Sequence, residues 1–212
     1  MQEERAHTER LIKETAKRIF FQKGRLKATT QEIADEAGVN RALIHYYFRS
    51  RELMLETLLE EVVDDKKEKM RTILTSDLPF REKIADYISY LVDRGINYPH
   101  LENFIISEIA RNPEKGKILC AKSKSSDLIR KQLQEEIDNG GIAPITPEHF
   151  MVNLSSLCNY PLLAKSIFQM VHGMTDSSYR KFLLDRKQII FQTIFKEKFP
   201  VETVLSKSSQ SK

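Results

Sequence analysis

The stretch from Thr29 to Leu53, TTQEIADEAGVNRALIHYYFRSREL, limits the possible folds more than any other part of the chain. Thr29-Thr30-Gln31-Glu32 is a Thr-x-x-Glu capping box that opens a helix over Ile33, Ala34 and Ala37. Gly38 supplies a sharp turn, and Asn40 caps a second short helix that runs to about Tyr47. Ser50 then caps a third. The middle helix is oddly polar and aromatic. Its seam with its neighbours takes Ile33, Ala34, Ala37, Val39, Ile44 and Phe48, which leaves Asn40, Arg41, Ala42, His45 and Tyr46 on the other side. Such side chains make poor core material and good material for reading DNA.

Periodicity elsewhere is helical almost throughout, and about nine helices are expected. Leu11, Thr15, Ala16, Ile19 and Phe20 recur at helical spacing, with Gly24 placed to stop that helix. The helix from Ser50, SRELMLETLLEEVVDDKKEKMRTIL, carries acids early and bases late, the order its dipole favours. Pro79, Pro99 and Pro113 divide the middle into helices near 80–96, 100–111 and 114–138. Thr146-Pro147-Glu148 starts a helix expected to reach Val171, and a last helix runs from about Asp176 to Lys198. The ending SKSSQSK is low in complexity and is expected to fray. The fold class is therefore all-α: an N-terminal three-helix helix-turn-helix domain over 1–50, a larger helical domain over 51–199 and a tail over 200–212.

Composition excludes several classes. Hydrophobic residues make up 41% and charged residues 30% of 212, as in an ordinary globular protein. No apolar run approaches the ~18–20 residues that cross a bilayer, and MQEERAHTER lacks the apolar segment of a signal peptide, so the expected address is the cytoplasm. Cys120 and Cys158 lie far apart, which argues against a disulfide framework. His7, His100, His149 and His172 are isolated, and no metal or cofactor is expected. The acidic and basic run from Glu60 to Lys69 reads as a solvated helix face. Net charge is +4, with 11 Lys/Arg against 7 Asp/Glu in residues 1–51 and 19 against 21 in residues 52–195. The basic excess sits with the candidate reading head, as a phosphate polyanion requires. No paired Glu-x-x-His, no nucleophile with its base and no glycine-rich phosphate loop speaks for an enzyme.

In a helix-turn-helix the second helix lies in the major groove while the first crosses the backbone. Arg41 can fork to guanine, Asn40 or His45 can reach a base edge or phosphate, and Ala42 is small enough to touch a thymine methyl. Tyr46 stands beside them. Thr29, Thr30, Tyr47 and Arg51 sit at helix ends, where hydroxyls and charge position the phosphate backbone.

The run Thr-Thr-x-x-Ile-Ala-x-x-Ala-Gly-Val, then Arg-Ala-x-Ile-x-Tyr-Tyr-Phe, then Ser-x-Glu-Leu closely resembles the DNA-binding signature of the TetR family of bacterial transcription regulators. Ala16-x-x-Ile19-Phe20-x-x-x-Gly24 matches the family's first helix, and the specific similarity covers roughly residues 8–60. His45 departs from it, since a tyrosine is common there. The resemblance implies a homodimeric repressor of palindromic operators, released from double-stranded DNA when a small molecule binds the second domain. It implies dimerisation through the last two helices, where the apolar positions include Phe150, Leu154, Leu157, Phe182, Ile189, Ile190, Thr193 and Ile194. A pocket between about 55 and 170 draws on Tyr87, Tyr90, Leu91, Phe104, Ile105, Glu108, Cys120, Tyr160 and Phe168, a mix suited to a largely apolar effector with one or two polar handles. The competing expectations are a DNA-binding regulator that needs no ligand, and an activator.

Overall fold

The computed structural model describes residues 2–114, 116 and 125–195, and within them the chain is all helical. Ten helices follow one another: α1 Gln2–Lys17, α2 Thr30–Ala37, α3 Arg41–Phe48, α4 Arg51–Leu74, α5 Phe80–Asn97, α6 Leu101–Arg111, α7 Ser125–Asp138, α8 Pro147–Leu163, α9 Lys165–His172 and α10 Asp176–Phe195. Between α1 and Gly24 lies a π-helical turn, Arg18–Gln22, which buries three consecutive apolar side chains, Ile19, Phe20 and Phe21.

Packing divides the described residues into two compact units, each with its own apolar core. One holds residues up to 66 together with those from 97 to 116, and the other holds 67–96 together with 125–195. The division expected at residue 50 falls between α3 and α4. The compact N-terminal unit goes further, because Met54, Leu58, Leu59 and Val62 of α4 and Leu101, Phe104 and Ile105 of α6 join Ile12, Phe20, Phe21, Ile33, Ile44 and Phe48 in one cluster. At about 25 cal/mol per Å² of apolar surface removed from water, that cluster is what holds three short helices that would be marginal alone. Lys17 fastens α1 to α4. Its Nζ donates to Glu61 at 3.1 Å and to Glu14 at 3.2 Å. Burial disfavours the charge on Lys17, but the hydrogen bond and attraction of Glu61, then of Glu14, outweigh it and raise the pKa above the ordinary lysine value.

In the C-terminal unit, α5 supplies Ile84, Tyr87, Ile88, Leu91 and Val92, which pack with Phe150, Leu154 and Leu162 of α8 and Leu183, Ile190 and Phe191 of α10. Gly95 permits the closest approach: a Cβ there would stand 2.1 Å from Cδ1 of Leu162. The buried Lys83 donates from Nζ to the carbonyl of Leu74 at 3.1 Å, capping the end of α4 where the last carbonyls lack helical partners. Cys158 is buried and forms no disulfide, and Cys120 lies outside the described residues, as does the tail 200–212.

The helix expected to run unbroken from 147 to 171 is two helices. Pro161 has no N–H for the carbonyl of Leu157, and the chain departs from helical geometry at Ala164 (φ −101°, ψ 21°) before α9 begins. α10 meets both freed carbonyls: Arg186 Nη2 donates to Leu157 O at 3.0 Å, and the buried Tyr179 hydroxyl donates to Pro161 O. Burial pushes the Tyr179 hydroxyl up to about 12, opposed by the charge of Arg186. The last described helix ends at Phe195, and the expected extension to Lys198 falls outside the described residues.

Candidate nucleic-acid interface

Both ends of α2 are set by local chemistry. Thr29 Oγ1 accepts from the Glu32 N–H at 3.2 Å, and the Glu32 carboxylate accepts from the Thr29 N–H at 2.8 Å, closing the reciprocal capping box. The backbone N–H of Thr29, then its hydroxyl, then Arg25 hold the Glu32 carboxyl below the usual glutamate value. Gly38 ends the helix in the left-handed region (φ 66°, ψ 30°), and Val39 N–H returns to Ala34 O at 3.0 Å. Asn40 Oδ1 then accepts from the Ala42 N–H at 2.8 Å and starts α3.

α3 is held by Ile44 and Phe48, both buried, with Leu43 and Tyr47 half-buried beside them. Arg41, Ala42, His45 and Tyr46 occupy the opposite face at i, i+1, i+4 and i+5, all exposed. Tyr46 is 62% exposed, which is unusual for so large a ring. It stands edge-on to Tyr47 with centroids 5.0 Å apart. Arg41 Nε donates to Thr30 Oγ1 at 3.2 Å, so the hydroxyl of α2 steadies the guanidinium. No described residue makes a hydrogen bond with the side chains of His45 or Tyr46.

The expected contact residues thus separate by what their atoms already do. Arg41, Ala42, His45 and Tyr46 form one outward stripe, and Thr30 supports it. Thr29 and Asn40 are exposed, but Thr29 Oγ1 and Asn40 Oδ1 are spent on the caps of α2 and α3. The Tyr47 hydroxyl donates to Arg5 O at 3.1 Å and ties α3 to the start of α1. Arg51 is half-buried: Nε donates to Ala28 O at 2.9 Å, Nη2 donates to Leu26 O, and the guanidinium lies 5.9 Å from the Phe20 ring centroid. It clamps the linker before α2, and its charge lies close to backbone carbonyls instead of standing free.

Arg49 was not singled out by the sequence pattern. It is exposed and adopts φ 66°, ψ −53°, while Ser50 N–H bonds Phe48 O at 2.7 Å, a three-residue turn that a non-glycine residue seldom makes. The signal available in sequence was a basic residue wedged between an aromatic helix end and a serine cap. That turn presents a guanidinium beside the end of α3, suited to a phosphate.

The residues expected to line an effector pocket lie in several different places. A void of about 10 Å³ in the C-terminal unit, lined by Met70, Ile73, Leu74, Ile84, Tyr87, Ile129, Met151 and Leu154, presents no polar surface. Tyr87 alone of the expected pocket residues lines it. Leu91 is core, and Tyr90 packs against the same core. Phe104 and Ile105 belong to the N-terminal cluster, because α6 returns its apolar face there. Glu108 pairs with Arg111 on the surface of α6, and Cys120 lies outside the described residues. Tyr160 is 59% exposed, and Phe168 sits beside it with centroids 5.9 Å apart. Of the expected interface residues, Phe150, Leu154 and Ile190 are buried in their own core, Leu157, Phe182 and Ile194 are half-buried, and Ile189 and Thr193 are exposed. Among the described residues no group of three His, Cys, Asp or Glu side chains is disposed to hold a metal, and no helix is long and apolar enough to cross a membrane.

Comparison with known proteins gives concordant findings. Residues 12–58 match the family described as bacterial regulatory proteins, tetR family. The chain is 22% identical over 191 residues to the probable HTH-type transcriptional regulator YttP of Bacillus subtilis (strain 168), covering 87% of this chain and 92% of that one. It is 25% identical over 146 residues to the uncharacterized HTH-type transcriptional regulator YhgD of the same organism, covering 66% and 74%. Among solved structures, a TetR family transcription regulator from Marinobacter aquaeolei VT8 superimposes with a TM-score of 0.57 at 14% identity, covering 92% of this chain and 98% of that one.

Proposed function

Since the chain belongs to the TetR family and is a DNA-binding transcriptional regulator, we propose that it acts as a homodimeric repressor that reads a palindromic operator through α3. The observation that carries this reading is the stripe Arg41, Ala42, His45 and Tyr46, exposed on a helix whose other face is clamped in the core. Arg41 forks to a guanine edge, His45 and Tyr46 reach neighbouring bases or phosphates, and Ala42 lets the helix seat closely in the groove. Thr30 orients Arg41, Arg49 takes a phosphate, and Thr29, Asn40, Tyr47 and Arg51 hold the reading helix in place. Selection from a random-duplex pool followed by footprinting tests this. The result expected is two inverted half-sites centred about one helical turn apart, or a near multiple. A single unpaired half-site, or no enrichment, sinks the reading.

A homodimer is supported by a second stripe, on α10, where Phe182, Ile189 and Thr193 leave apolar surface outside the core, continued on α8 by Leu157 and Tyr160. Surface of that kind belongs between subunits. The interface residues proposed are therefore Leu157, Phe182, Ile189 and Thr193, with Phe150, Leu154 and Ile190 serving the core.

For the effector, the apolar lining around Tyr87, Met70 and Met151 suits an aliphatic molecule. The void holds about one water-sized sphere, so a ligand at this place enters by spreading α4, α5, α7 and α8 apart, a movement the two pliable methionines favour. The same small volume supports the alternative of a regulator that needs no ligand. Thermal melts against aliphatic acids, alcohols and amines separate the two: a concentration-dependent rise in Tm speaks for the effector, and its absence across the panel speaks for ligand-independent control.

A further inference from the structure

Among the described residues, Arg186 is a cation without a counter-ion. Its guanidinium is half-buried on α10, with Nη2 donating to Leu157 O at 3.0 Å and Cζ 5.8 Å from the Phe182 ring centroid. Nε is buried without an acceptor, and no described carboxylate pairs with the side chain. Burial draws its pKa below the usual arginine value, although Cys158 and Tyr179 act the other way. The contact with Leu157 explains one N–H: it satisfies the carbonyl that Pro161 leaves free. It does not explain the charge, since a neutral donor does the same.

Arg186 lies on the stripe Phe182, Arg186, Ile189, Thr193, spaced four, three and four residues apart, at the border of the core face, with Tyr179, Leu183 and Ile190 at i−7, i−3 and i+4 from it. If a partner covers that stripe, the guanidinium loses water as well, and a desolvated cation without an anion is strongly unfavourable. The partner must therefore bring an acid. α8, α9 and α10 hold three acids: Glu148 is matched with Arg130 at 2.9 Å, and Asp176 with Lys165 at 2.8 Å. Asp185, next to Arg186, is exposed and has no ion pair among the described residues.

A two-fold interface presents the same patch from both sides, so it must be complementary to itself. A cation and an anion adjacent on one helix meet that condition when the helix crosses its own copy in the opposite direction. We propose that Arg186 of each copy pairs with Asp185 of the partner subunit, giving two reciprocal ion pairs across the two-fold axis of the homodimer. The inference rests on the homodimer reading above, with Ile189 packed on the apolar side of the same contact.

Sedimentation of the full chain over a concentration series tests it, using Asp185→Asn, Asp185→Lys, Arg186→Gln (which keeps a donor for Leu157 O), Asp185→Asn with Arg186→Gln, and Ile189→Asp. Asp185→Lys should raise the dimer Kd by roughly a hundredfold and Asp185→Asn by about tenfold, with helicity unchanged. The double variant should be no weaker than the weaker single one, because both remove the same pair. Wild-type affinity for Asp185→Lys, or additive losses in the double variant, overturns the ion pairs. If Ile189→Asp abolishes the dimer while Asp185→Lys does not, the homodimer stands and the pairing falls. A wild type that stays monomeric at every concentration removes both.

Discussion

α3 and α10 each carry a stripe that their own fold leaves unused, and the two stripes differ in what they can tolerate. On α3 the outward side chains are Arg41, Ala42, His45 and Tyr46, three of them able to bond water. That face can stand wet between binding events, and its polarity costs nothing until DNA displaces the water. On α10 the stripe is Phe182, Arg186, Ile189 and Thr193, where exposed hydrocarbon favours permanent cover and a half-buried cation asks for an acid. On the proposed function, the contrast separates a surface for reversible recognition from one for lasting assembly. It also predicts that changes on α3 alter DNA binding without altering stability, while changes under either helix alter both.

The largest effect expected comes from removing what α3 rests on. Phe20 and Phe21 are fully buried in the N-terminal cluster, and Phe20→Ala should cost about 3–5 kcal/mol in urea unfolding, with loss of DNA binding as its consequence. If binding disappears without a matching loss of stability, the division between clamped and free faces is misplaced. Next, Arg41→Ala should weaken operator binding by ~1–3 kcal/mol and relax the preference at one base pair, leaving the melt unchanged. Arg51→Ala is the informative contrast. Because Arg51 bonds Ala28 O and Leu26 O, its loss should lower the melting temperature, whereas a phosphate contact alone should change only the salt slope of binding. Thr29→Ala should cost ~1 kcal/mol of stability through loss of the cap, read from chemical denaturation.

The smallest effect concerns acid. The Glu32 pKa is lowered in the folded chain, so its contribution to stability is present above the ordinary glutamate value of 4.5 and is lost as pH falls through the lower folded value. Urea melts in the acid range should show this dependence, and Glu32→Gln should flatten it. An unchanged slope in the variant means the capping box is not the source.

Much of the N-terminal unit was legible because its signals are local. The Thr29–Glu32 box, the Gly38 turn and the Asn40 cap depend on residues two to four apart, and each forms as the spacing requires. Arg51 and Tyr47 were harder, since their partners, Ala28, Leu26 and Arg5, lie 23 to 42 residues away and are backbone carbonyls, which no side-chain pattern advertises. In the C-terminal unit the apolar positions of α8 and α10 were visible, but not which of them face inward. A helix with apolar residues on two faces gives no sign of which face meets its own core, and so Phe150, Leu154 and Ile190 could not be separated from Ile189 and Thr193. The break at Ala164 had a clear origin in Pro161, whose effect appears three residues downstream of the proline.

The outward face of α3 is proposed to contact DNA while contributing little to the core beneath it. The most direct test is the affinity of the double variant Arg41→Ala, Tyr46→Ala for a selected operator duplex at fixed salt, measured beside its urea melt. The account predicts a loss of at least about tenfold in affinity with the melt unchanged. Full affinity in that variant, or a collapse of its stability, would contradict it.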